Sequence, residues 1–280
     1  MSKGLLDPKV DFVFKNIFGS PNHPEILISF LNATLKAKKK IVNVDIKKTD
    51  IEKQYIEDKY SRLDVKATTS NDEIINIEIQ LKNENNMVKR SLYYLSKMYE
   101  EQLNEKEDYS KLVRTVCINI LNFKYLKTDN FHTGYRFKEI ESNEELTDIM
   151  EVHFIEIPKL QDSSDEKDML VAWTEFLKDP ESEKVRGLEL SIEEIRQAKD
   201  ELIRMSNDST QRELYDMRAN SLRDKMSELN EAERKGIEKG REEGRKEEKI
   251  KIARNMKLSG LDTNTIAKIT NLSEDEIDKL

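Results

Sequence analysis

Near the start of the chain the apolar residues recur at helical spacing. Phe12, Phe14, Ile17 and Phe18 come first, and Ile26, Leu27, Phe30, Leu31 and Leu35 follow the breaker Gly19-Ser20-Pro21. This pattern predicts two helices within residues 7–35, the second opening at Pro24. The period then drops to two. Residues 41–46 intersperse Ile and Val with polar positions, and residues 62–69 begin a second strand with Leu63-Asp64-Val65. Asn71-Asp72 is a turn signal, and residues 73–81 (EIINIEIQL) alternate strongly. In that third strand Ile75, Ile77, Ile79 and Leu81 share one face, while Ile74, Asn76, Glu78 and Gln80 share the other. Residues 89–104 read as a helix with Leu92, Leu95, Met98, Tyr99 and Leu103 inward. Residues 114–121 (RTVCINIL) have the β-branched density of a buried strand, and residues 135–140 and 152–157 form two more. Helices and strands in this order describe an α/β sheet domain, closing near Leu160 where residues 161–168 turn polar.

The C-terminal part reads differently. Residues 169–177 form a short apolar helix holding the sole tryptophan, Trp173, and Ser191-Ile192-Glu193-Glu194 has the pattern of a capping box that opens another helix. After the Asn207-Asp208-Ser209 break, residues 210–256 are rich in helix formers with sparse apolar positions at Leu214, Met217, Leu222, Met226 and Leu229. Gly236, Gly240 and Gly244 fall four apart, so they would line one face of a helix. A frayed, charged linker is the other reading, since each glycine costs a helix about 1 kcal/mol. Residues 250–280 alternate helix, Ser259-Gly260 turn, helix, Asn271 turn and helix, with a second capping box at Ser273 and Glu276. That is a helix-turn-helix outline. Its last helix carries Glu274, Asp275, Glu276 and Asp278 against Lys279, which opposes a phosphate backbone, so a dimerisation or partner-binding unit fits equally.

Composition narrows the chemistry. Charged residues make up 37% of the 280, and of the net charge of −8 nearly all falls after Leu160. Lys36, Lys38, Lys39, Lys40, Lys47 and Lys48 crowd together with only Asp45 opposing them; this is either a phosphate-attracting patch or a solvated helix end. No apolar run approaches the ~18 residues of a membrane span, and the mixed charges at the start do not fit a signal peptide. Cys117 is the single cysteine, which excludes an internal disulfide and fits a reducing cytoplasm. His23, His132 and His153 lie far apart, giving little support for a zinc site or a Ser-His-Asp triad, and no Gly-Lys-Ser/Thr loop marks a P-loop NTPase. Asp64 and Glu78, on neighbouring strands, are the carboxylates that would hold a hard cation such as Mg²⁺, with the Ile79 carbonyl as a further oxygen. A polar strand face is equally what a half-solvated sheet shows.

Leu63-Asp64-Val65 followed by Asn76-Ile77-Glu78-Ile79-Gln80 resembles the Asp…Glu-x-Gln core of the PD-(D/E)XK nucleases, and more narrowly their Rpn branch of recombination-promoting nucleases or PD-(D/E)XK family transposases. Asp7-Pro8-Lys9, the segment DFVFKNIF from Asp11, Arg90-Ser91-Leu92-Tyr93-Tyr94, Tyr109 with the strand after it, Leu146-Thr147-Asp148 and Glu156-Ile157-Pro158-Lys159-Leu160 agree in order with that branch. The resemblance implies a restriction-endonuclease-like central mixed sheet flanked by helices, with an α-helical C-terminal extension. It divides the chain into a nuclease-like domain (1–160), a charged helical connector (161–248) and a helix-turn-helix-like module (249–280). It also implies Mg²⁺-dependent hydrolysis of DNA phosphodiesters in the cytoplasm, with Mn²⁺ as a substitute. Asp64 and Glu78 would be the metal ligands, Gln80 would take the place of the motif's lysine, Asp11 would be an accessory acid and Lys15 a phosphate contact. Leu63 replaces the motif's proline. Gln80 carries no charge, so Lys66 and Lys82, on the same strand faces as Asp64 and Glu78, are candidate substitutes and DNA contacts. A homodimer joined through the C-terminal helices is expected, with recombination, mobile-element movement or phage defence as the setting. Two alternatives stand beside it: a non-cleaving DNA-binding or assembly protein on the same fold, and a scaffold acting through residues 210–256.

Overall fold

The computed structural model describes residues 4–37, 39–47, 65–83, 86–165 and 167–280. Two helices open it, α1 (Asp11–Phe18) and α2 (Pro24–Leu35), divided at Gly19 where the helical spacing breaks. Among the described residues six strands follow: β1 (Val44–Lys47), β2 (Val65–Thr69), β3 (Ile74–Gln80), β4 (Thr115–Leu121), β5 (His132–Lys138) and β6 (Glu145–Glu156). Helix α3 (Met87–Glu100) connects β3 to β4. The strands form one mixed sheet in the order β1-β2-β3-β4-β6-β5, in which β3, β4 and β6 run parallel and the outer pairings are antiparallel. This is the mixed sheet flanked by helices that the resemblance implies. Strands β5 and β6 start earlier in the sequence than their apolar runs indicate, because residues 145–150 continue the hairpin with side chains largely in solvent.

The two faces of the sheet pack against different layers. Ile75, Ile77 and Ile79 of β3 lie on the side of α1 and α2, as Val65 does: a Cβ at Gly19, just after α1, would touch the Val65 Cγ2 at 3.3 Å. Here Phe14 stacks on Phe18 at 4.6 Å between centroids, and Phe18 meets Phe30 and Trp173 edge-on. Trp173 belongs to α4 (Met169–Lys178), which with α5 (Glu183–Glu189) and α6 (Glu193–Asn207) completes this layer. On the other face Met87 and Leu95 of α3 pack on Cys117, Leu121, Val152 and Phe154. The compact unit therefore runs from Met1 to Ala219, and the boundary expected at Leu160 does not separate a core from a connector. The reason is the apolar content of α4 to α6: Leu170, Trp173, Phe176, Val185, Ile195 and Leu202 are all buried. The capping box expected at Ser191 is not formed. Ile192 is the N-cap of α6, and the Ser191 hydroxyl donates instead to the Leu188 carbonyl at the end of α5.

The second unit, Asn220–Leu280, holds the later part of α7 (Ser209–Leu258), then α8 (Thr263–Thr270) and α9 (Glu274–Asp278). Helix α7 is continuous through Gly236, Gly240 and Gly244, so residues 210–256 form a helix and not a frayed linker. Ala253, Ile266, Leu272 and Ile277 make a small separate core, and Lys257 donates to the carbonyls of Ile277 and Asp278. The box at Ser273 and Glu276 is present in both directions. No helix among the described residues is long and apolar enough to cross a membrane.

Trp173 is fully buried, and its indole N–H donates to the Ser29 hydroxyl at 3.2 Å. Trp173→Ala is expected to destabilise the first unit by about 3–5 kcal/mol through the cavity it leaves. A lower urea midpoint at unchanged slope in equilibrium unfolding checks this.

Candidate active site

Strand β3 has neighbours on both sides: β4 pairs with all of it in parallel, and among the described residues β2 pairs antiparallel with Ile74 to Ile77. Its side chains toward α3 are Asn76, Glu78 and Gln80. The expectation of a half-solvated face is overturned here, since Asn76 is fully buried and Glu78 is 1% exposed. The cover is α3, whose buried residues are Met87, Ser91, Tyr94, Leu95 and Met98. The sequence expected Leu92 inside in place of Tyr94; Leu92 is 49% exposed, because the inward face of the helix includes polar residues that match polar strand positions. Ser91 donates to the Asn119 side-chain oxygen at 2.8 Å, and Arg90 brings its Nε to 3.4 Å from the Glu78 Oε2. The Arg90 guanidinium also lies over the Tyr94 ring, 5.4 Å from its centroid.

Burial pushes the Glu78 carboxyl up to about 7, opposed by the Arg90 charge and by the Asn76 amide, which donates to Oε1 at 3.5 Å. Two oxygens stay incompletely matched. Glu78 Oε2 and Asn76 Oδ1 are buried and accept no hydrogen bond. Hard, buried, under-coordinated oxygens of this kind suit an oxygen-liganded divalent cation. Among the described residues no group of three or more His, Cys, Asp or Glu side chains could hold a metal, so a cation at Glu78 needs a further ligand from elsewhere. Cys117, on the neighbouring strand, is no nucleophile: burial, reinforced by the Glu78 charge, pushes its thiol up to about 12.

The remaining expected residues are dispersed. Asp64, with Leu63, lies outside the described residues, as do Lys38 and Lys48 of the lysine cluster. Gln80 ends β3 half-buried, its backbone carbonyl accepting from the Asn122 N–H. Ile79 is buried in register with Ile120 of β4. Lys66 shares the Glu78 side of the sheet but pairs with Glu101 at 3.7 Å. Lys15 and Lys82 are half-buried, on α1 and just after β3. The Asp11 carboxylate accepts from Arg218 of α7 at 2.9 Å.

The opposite face carries a constellation that linear spacing hides. His132 Nε2 and His153 Nδ1 are 2.9 Å apart, and His153 Nε2 lies 2.7 Å from Glu151. Glu151 also accepts from Arg114, which pairs with Glu73 as well, and Arg136 reaches Glu151 at 3.0 Å. Since a carboxylate only accepts, His153 donates through Nε2 and receives the His132 proton at Nδ1. The β5–β6 pairing makes this chain, setting Gly134 opposite His153, where a Cβ would come within 3.0 Å of the ring.

Burial, with the His153 ring beside it, brings His132 down to about 4, so the unfolded chain binds its proton more readily. Stability from this group is complete above pH ~6.5 and is lost as pH falls toward 4. For Glu151 burial acts upward, but the hydrogen bonds from His153 and Arg114 outweigh it and hold the carboxyl at about 2, so its contribution is lost only below pH ~4.5. Melting temperatures of wild type and His132→Asn, measured from pH 7 to 4.5, are therefore expected to converge as pH falls; a constant difference would contradict this.

Comparison with known proteins is consistent with this geometry. Residues 8–232 match the family model described as PD-(D/E)XK nuclease family transposase. Residues 246–280 match that of the Rpn/YhgA-like nuclease family, C-terminal HTH domain. No curated protein and no solved structure matches the chain. With the mixed sheet, the Glu-x-Gln strand and a match over most of its length, the chain belongs to the PD-(D/E)XK nuclease family transposases.

Proposed function

We propose that the protein is a divalent-metal-dependent DNA endonuclease, with Asp64, Glu78 and the Ile79 carbonyl as cation ligands. The observation that carries this reading is the buried Glu78 carboxylate with an oxygen that accepts no hydrogen bond, on the strand bearing the family's motif. Covalent order supports Asp64 as its partner. Val65 pairs with Ile77 across the β2–β3 ladder; Asp64 immediately precedes Val65 and Glu78 immediately follows Ile77. A bound Mg²⁺, or Mn²⁺ in its place, would supply positive charge for the phosphate and a more acidic water. Gln80 contributes hydrogen bonds, not charge, and so orients water or a phosphate oxygen. Lys15, Lys66 and Lys82 are proposed DNA contacts, Asp11 an accessory acid held by Arg218, and the C-terminal helix-turn-helix unit a second DNA or partner contact. Cutting both strands with one site per chain calls for two copies, so a homodimer serving recombination or mobile-element movement completes the proposal. Gln80 in the lysine position favours one competing reading, a DNA-binding protein that no longer cleaves.

Supercoiled plasmid separates the two. Wild type is expected to nick or linearise it at low salt with Mg²⁺ and not with EDTA, and Asp64→Ala to lower the rate by at least about a hundredfold while DNA binding persists. Binding without cleavage by wild type, with Mn²⁺ and on single strands as well, would establish the non-cleaving reading.

A further inference from the structure

We infer that Arg90 supplies the cation that Gln80 lacks: it rests on Glu78 in the metal-free protein, and leaves for a DNA phosphate once that carboxylate is taken by a divalent cation. This rests on the reading of Glu78 as a metal ligand. The strand of the motif carries a neutral amide at position 80, yet a phosphodiester under attack gathers negative charge that a fixed cation must meet. Of the described lysines on the Glu78 side, Lys66 is engaged by Glu101. Arg90 is the residue whose charge reaches Glu78, with Nε 3.4 Å from Oε2.

Three features suit Arg90 to move between two anions. Its side chain is 22% exposed while that of Glu78 is 1% exposed, so it joins a buried acid to a position that solvent reaches. The Tyr94 ring beneath it offers a resting surface that keeps the guanidinium near the site after Glu78 is given up. It also stands in the first turns of α3, with its backbone N–H bonded to the Asn86 carbonyl, in a positive field that favours an incoming phosphate. Lys89 adds a neighbouring exposed charge. A divalent cation on the Glu78 carboxylate and a guanidinium 3.4 Å from its Oε2 would repel one another, which favours the exchange.

The test is the affinity of the full-length chain for a short fluorescent duplex in EDTA and in Ca²⁺. Wild type is expected to bind on the order of tenfold tighter with Ca²⁺. Arg90→Gln loses that gain and Arg90→Lys keeps part of it. Glu78→Gln, which removes the charge that holds the guanidinium at the strand, binds tightly without metal and ignores Ca²⁺, and adding Arg90→Gln to it abolishes that tight binding. A Glu78→Gln/Arg90→Gln protein that binds as tightly as Glu78→Gln, or an Arg90→Gln protein with the full Ca²⁺ gain, overturns the inference. Wild type that binds DNA but gains nothing from Ca²⁺ overturns it while leaving DNA recognition intact. Wild type that binds no DNA in either condition overturns the nuclease reading as well.

Discussion

The centre of the sheet is covered on both faces, and most of what is chemically unusual in this protein follows from that. In β4 every side chain is buried whichever way it points, and in β3 all but the two terminal ones. A polar group placed there loses water and must find a partner within the protein. Asn119 finds Ser91 and the His153 carbonyl, and His153 finds Glu151 and His132. Asn76 and Glu78 are exceptions, each with a buried oxygen that accepts no hydrogen bond. The Glu78 Oε2 has the charge of Arg90 nearby, with Nε at 3.4 Å, and room in its coordination for a further donor or cation. A core optimised for stability alone would carry apolar residues in place of Glu78 and Asn76, and the proposed cation site gives these polar groups a purpose.

Much of the architecture was legible in the linear pattern because it depends on period. The helical spacing around Phe14, Phe18 and Phe30 and the strict alternation from Ile74 to Gln80 are local properties, and each element lies where they indicate. What covers an element is not local. The polar side of β3 looked solvated because the sequence of a strand does not say which helix will lie over it; α3 does so with Ser91, Arg90 and Tyr94 turned inward, a face that hydropathy alone assigns to solvent. The histidines were passed over for a similar reason. His132 and His153 are 21 positions apart, and only the antiparallel register of β5 with β6 brings their rings to 5.1 Å. The small residue opposite His153, Gly134, was the available signal, though it becomes informative only once the register is known.

The candidate site divides in the same way. The strand that carries Glu78 could be read from spacing, and the family from resemblance, which the family match bears out. The role of Arg90 could not. It lies twelve positions beyond Glu78, and what links the two is the packing of α3 on β4 and β6, beside the strand that carries Glu78. The ion pair of Asp11 with Arg218 of α7 is likewise beyond what spacing shows, because the fold joins two distant positions of the chain.

The central claim is that the buried Glu78 carboxylate is one half of a divalent-cation site. Calorimetric titration of Mn²⁺ into the full-length protein tests it most directly, without DNA or turnover. The account predicts saturable binding by wild type that is lost in Glu78→Gln while the fold, judged by circular dichroism, is kept. Unchanged Mn²⁺ binding in a folded Glu78→Gln protein, or none in wild type, would contradict it.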